Sequence, residues 1–182
     1  FRSIRWASSG IIRNSTAINC DSLPAMSGTA INHADGREAV PKNADLRRLL
    51  AYWYERRGTR PFPRRADIDP VDFRFMLERV ALTEVHEAPD EERRYRLRVV
   101  GSYWYRLLGF EATGIWMHDW PRANQRKLTE DFYAALIDGR QPRFAERDAI
   151  VDDQLLHYEI MLLPLSEDGS RISMIMTGIG PS

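Results

Sequence analysis

Chemistry in this chain would have to come from few residues. The four histidines, His33, His86, His118 and His157, are scattered, and no two stand at the four-residue spacing that would aim both at one metal ion. His118 lies in the run Met117-His118-Asp119-Trp120, close to Trp116, where a loop histidine can line a pocket or, with Asp119, serve as a general base. A packed or half-exposed loop histidine is the plainer reading. No Gly-rich phosphate loop, nucleophile elbow or metalloprotease helix is present. Asp67 and Asp69 precede a helix start, where capping accounts for them, and Asp152-Asp153 marks a turn. An enzyme is therefore not expected.

Two arginines are sharper candidates, Arg65 and Arg98. Arg98 stands on an expected strand amid aromatic and aliphatic residues, and a buried guanidinium needs an anionic partner. That partner is either an internal acid, such as Glu84 or Asp69, or the carboxylate of a ligand. The core elements are rich in aromatic and methionine side chains (Trp104, Trp116, Phe132, Tyr158, Met161, Met174, Met176). Such residues fill a core, and they also line adaptable apolar pockets.

Composition bounds the partners. The 182 residues suit one domain and a tail, with 43% hydrophobic and 29% charged residues. A formal net charge of +0 gives no overall field to draw the chain to nucleic acid or an acidic membrane. Runs such as Arg56-Arg57, Arg64-Arg65 and Arg93-Arg94 are interleaved with acids and read as solvated faces or ion-pair partners. Cys20, the single cysteine, can form no internal disulfide, so a reducing cytoplasmic setting is expected. No apolar run approaches the ~20 residues of a membrane-spanning helix.

Residues 1–43 are dominated by Ser, Asn, Thr and Ala without periodicity, and a disordered tail is expected there. Met26 would serve as a natural start, which would make 1–25 foreign to the native chain. Order is expected from Asp45, the anticipated cap of an amphipathic helix carrying Leu46, Leu49, Leu50 and Trp53 and stopped by Gly58. The stiff stretch Arg60-Pro61-Phe62-Pro63 follows. Asp69-Pro70 then opens a short helix through Val71, Phe75 and Met76. From Val80 the period becomes two. Val80, Leu82 and Glu84, then Tyr95, Leu97 and Val99, alternate with their neighbours as a hairpin does. Short and long helices are expected at 102–109 and 124–138, and strands at 142–151, 155–164 and 170–179. Asp168-Gly169 lies at the centre of the last hairpin turn. The order favours an α+β fold with an antiparallel sheet and helices on one side.

The segment Tyr54 to Pro70 (YERRGTRPFPRRADIDP) closely resembles the opening of a family of PAS-like proteins found mainly in alphaproteobacteria, whose function is unassigned. Tyr95 to Ser102 (YRLRVVGS), Leu108 to Gly114 (LGFEATG) and Leu162 to Gly169 (LLPLSEDG) fit the same family in order and spacing, so that the resemblance covers about residues 46–179. It implies five antiparallel strands in the order 2-1-5-4-3, with helices closing one face over a possible ligand cavity. It also implies a sensory role exercised through partner proteins in trans. Flavin photosensors of the PAS fold carry a cysteine on the short helix, and haem-binding members a histidine on the long one. Residues 102–109 and 124–138 contain neither, which disfavours both cofactors and leaves the ligand unknown.

The lead expectation is a stand-alone sensor of an unknown small molecule. Its pocket would lie between the sheet face bearing Tyr95, Leu97 and Val99, with Arg98 beside it, and the helices bearing Trp104, Leu108 and Phe132. Trp116, His118, Tyr158 and Met174 complete that candidate lining. The alternative is a ligand-free interaction module, in which Leu46, Leu50 and Trp53 form a surface for a second copy or a signalling partner.

Overall fold

The computed structural model describes residues 40–87, 94–151 and 154–181; the expected tail up to residue 39, including 1–25, and the turns at 88–93 and 152–153 lie outside the described residues. Helix α1 (Ala44–Arg57) begins two residues earlier than Asp45 would place it, because Asn43 is the cap: its side-chain oxygen accepts from the amides of Asp45 and Leu46 at 3.0 and 3.2 Å. Asp45 instead holds Arg79 at 2.6 Å. Gly58, at φ 56°, ends the helix as expected. Capping also explains the two acids that follow. Asp67 accepts from the Arg64 amide at 2.7 Å and Asp69 from the Val71 amide at 2.9 Å. The second of these opens a 3-10 segment, Pro70–Arg79, broken at Phe73.

Strands β1 (Val80–Val85), β2 (Tyr95–Val100), β3 (Arg143–Val151), β4 (Gln154–Leu165) and β5 (Met174–Pro181) form one antiparallel sheet in the order β2-β1-β5-β4-β3. Between β2 and β3 run helices α2 (Ser102–Leu108) and α3 (Ala123–Gly139), with a 3-10 turn at Met117–Asp119. Gly139 is the last residue of α3, and the left-handed position that stops it is Arg140. The β4–β5 loop is longer than a two-residue Asp-Gly turn, since Leu165 and Met174 are the last paired residues. Asp168 organises that loop by accepting from the amides of Ser170 and Arg171, and these bonds hold its carboxyl well below the usual carboxylate range.

Both faces of the sheet are covered. On the outer face α1 lies so close that a Cβ at Gly178 would stand 2.9 Å from Leu49 and 3.1 Å from Leu46. Leu46 and Trp53 are fully buried there, and Trp53 donates its indole N–H to the Pro164 carbonyl at 2.9 Å. They are core residues of this chain rather than an interface, and Leu50 is half-buried beside them. Residues 41–43, expected at the end of the tail, are pinned to this face. Glu159 on β4, itself buried, accepts from the backbone amides of Lys42 and Asn43 at 2.9 and 2.6 Å.

The inner face carries α2 and α3. Here β2 departs from its sequence pattern. Tyr95 pairs with Val85 and Leu97 with Thr83, but Val99 pairs with Leu82, so a bulge inserts Arg98 as an extra residue. The bulge turns Val99 to the outer face, where it is 51% exposed. Arg98 also stays at the surface, its Nε 3.1 Å from Glu84, the internal acid anticipated for it. The Arg65 guanidinium bonds locally, to the Ile68 carbonyl at 2.9 Å, while its backbone amide donates to Glu167 at 3.0 Å.

Candidate functional site

The layer between the inner sheet face and the helices is built on tyrosines. Tyr133 of α3 is fully buried, and its hydroxyl lies 3.2 Å from Thr83 on β1 and 3.1 Å from Thr177 on β5, two hydroxyls that are themselves fully buried. This ties α3 across the centre of the sheet. Tyr95 meets Tyr133 edge-on, ring centres 5.2 Å apart. Its own hydroxyl is buried without a hydrogen-bond partner, as is the indole N–H of Trp104 on α2.

At the β3–β4 end a cation enters the layer. Arg147 is 6% exposed, with its guanidinium carbon 5.1 Å from the Phe132 ring centre on α3. Directly opposite it on β4 stands Tyr158, 5% exposed. No ion pair or hydrogen bond reaches Arg147 from the described residues, and its Nη1 is buried with none. Burial pushes its pKa down, with the nearby Tyr158 as the opposing influence.

A depression of about 100 Å³ opens between α2 and the ends of β3 and β4, and neither Arg147 nor Tyr158 lines it. Tyr103, Arg106 and Leu107 line it from the helix, and Val151, Gln154, Leu155 and Leu156 from the strands.

Burial raises the phenol pKa values of Tyr95 and Tyr158 from 10.0 to about 12. In the unfolded chain both would ionise near 10, so their contribution to stability is complete below that pH and is lost as pH rises towards 12. The melting temperature should therefore hold steady up to about pH 10 and then fall, and less steeply in Tyr158→Phe. A profile flat to pH 12 would contradict the burial of these hydroxyls.

The candidate lining divides. Tyr95, Leu97, Trp104, Leu108, Phe132 and Tyr158 all lie buried in the helix-side core. Arg98 and Val99 do not, because of the bulge. Met174 pairs with Glu84 and with Leu165 on the outer face and belongs to the other core layer. Trp116 and His118 are half-buried at the margin. Trp116 meets His86 at a tilt, ring centres 5.0 Å apart, and lies 5.6 Å from the Arg96 guanidinium, while the His118 carbonyl accepts from Arg126 at 2.7 Å. Asp119 is exposed, and neither it nor His118 lines the depression. Among the described residues no group of His, Cys, Asp and Glu could hold a metal ion, and no helix is long and apolar enough to cross a membrane.

Sequence reasoning passed over Arg147, although a signal was there. Ala145, Arg147 and Ala149 share one face of β3, and two small residues flanking a large cation leave room for its fork. The acids beside it in sequence, Glu146 and Asp148, alternate to the outer face. There they meet Lys42 and His157, each at 2.5 Å.

No curated protein matches the chain. It is similar to a solved structure, the PAS domain of BvgS from Bordetella pertussis, at 14% identity, with 57% of this chain and 76% of that one covered and a TM-score of 0.44. A family model described as PAS domain matches residues 41–179, from the pinned segment before α1 to the end of the last strand. With the strand order and the helices over the inner face already in place, the chain belongs to the PAS domain family.

Proposed function

We propose that this PAS domain is a sensor whose small-molecule ligand lies between the inner sheet face and helices α2 and α3, and that its occupancy is passed to a signalling partner. PAS domains are in general sensory and signalling modules, so the family supplies the broad role. The specific reading is carried by one observation: the helix-side core holds buried donors without acceptors, at Tyr95, Trp104 and Arg147. A closed core satisfies such groups, since each one left unpaired costs about 1–3 kcal/mol. A ligand carrying acceptor atoms would satisfy them. The ligand-free alternative loses its interface, because Leu46 and Trp53 are spent on the sheet.

Mass spectrometry of a denatured extract of the purified protein tests this. A stoichiometric small molecule is expected. An extract without one, together with tryptophan emission that no metabolite mixture changes, overturns the ligand reading and leaves an interaction module.

A further inference from the structure

One of the unpartnered donors carries a charge, and that charge narrows the ligand. A guanidinium stays protonated at physiological pH even when burial depresses its pKa. Arg147 therefore holds a positive charge against an apolar layer, with Nη1 buried and unpartnered, where an uncompensated ion is disfavoured. The chain offers no compensation among its described residues. Glu146 and Asp148 point to the outer face and are occupied, and the ring of Phe132 gives only a weak attraction to a cation. The missing anion is thus expected from outside.

Strand register relates the depression to Arg147, which does not itself line it. Pairs of inward-facing residues succeed one another along β3 and β4: Val151 with Gln154, Ala149 with Leu156, then Arg147 with Tyr158. Leu156 and Val151 line the depression, so Arg147 stands only one or two inward rungs beyond it. Each rung is about 6.8 Å, two residues of strand. Arg106 on the exposed side of α2 also lines it and places a second positive charge at its mouth.

We infer that the ligand is a small organic monocarboxylate, its carboxylate paired with Arg147 and its apolar body against Leu107, Val151 and Leu156. This rests on the ligand reading proposed above. A single charge on the ligand cancels the single buried cation, whereas a phosphate dianion would leave a net negative charge in the same apolar layer. The planar fork of the guanidinium also matches a planar carboxylate, two parallel bonds to two oxygens.

The test is thermal melting of the full chain at constant ionic strength with sodium butyrate or benzoate, set against butyramide, benzamide and sodium phosphate. The carboxylates should raise the melting temperature saturably, and the amides and phosphate should not. Arg147→Met, which keeps the volume and removes the charge, should melt no lower than the parent without ligand and lose the carboxylate response. Arg147→Lys, which keeps the charge without the fork, should weaken carboxylate binding roughly tenfold. An Arg147→Met protein that melts several degrees lower makes the guanidinium a structural group and overturns the inference. So does phosphate acting as well as the carboxylates. A neutral molecule found stoichiometrically in the extract, with no carboxylate shift, overturns the ligand class and leaves the sensor reading standing. No extracted molecule and no shift overturns both.

Discussion

Trp53→Glu should unfold the protein, with loss of the far-UV helical signal at room temperature. On an interface surface the same substitution would only separate two copies and leave the fold intact. Trp53 is 1% exposed between α1 and the outer face of the sheet, and its indole N–H is the donor satisfying the Pro164 carbonyl. Glutamate there would leave a large cavity, an unpaired carbonyl and a carboxylate far from water. The cavity alone costs about 3–5 kcal/mol for a buried aromatic residue, and the charge adds to it. The sum is comparable with the whole stability of a domain, about 5–15 kcal/mol. A Trp53→Glu protein that melts cooperatively near the parent temperature would show that α1 is not docked as described.

Gly101→Ala should cost about 3 kcal/mol, a very large effect for one methyl group. Gly101 joins β2 to α2; its amide donates to the Val80 carbonyl at 2.9 Å and its own carbonyl accepts from Trp104 at 3.0 Å. Its backbone, at φ −66°, is one that alanine adopts freely, so the cost is not conformational. It is steric. A Cβ would stand 2.3 Å from the Glu78 carbonyl oxygen and 2.4 Å from that of Leu77, and backbone carbonyls in a packed 3-10 segment cannot rotate away as side chains do. Urea titration of the variant measures the loss. A midpoint equal to the parent's would mean the strand and the 3-10 segment are less closely apposed than the geometry shows.

Periodicity carried most of the architecture, because a helix face or a strand face is a local property. Leu46, Leu49 and Trp53 mark α1, and the alternation at Tyr95 and Leu97 marks the inner face of β2. The same alternation misplaced Val99. Nothing within Tyr95–Val100 breaks its period, since the bulge there is fixed by pairing with Leu82 and Thr83. Likewise the apolar stripe of α1 was plain, but what it covers was not. Its complement is Gly178, a residue without a side chain more than a hundred positions away, whose smallness lets the helix approach. Arg98 and Arg147 exchange roles for the same reason. Both are arginines on strands, and only the assembled sheet shows that one meets Glu84 at the surface while the other turns inward with its Nη1 unpartnered. Burial of a charge is a tertiary quantity, and the chain writes it only indirectly, as the two alanines beside Arg147.

Tyr158 and Glu159 are consecutive on β4, so the alternation of a strand sends them to opposite faces. One side chain stands against the unpaired guanidinium, and the other grips the two amides by which the chain arrives at α1. A single peptide group is therefore the fulcrum of a lever. One arm ends in the core, where a guest molecule would press, and the other ends at the leash of the first helix. A shift of that peptide towards or away from α3 would be felt directly at the Lys42 and Asn43 amides.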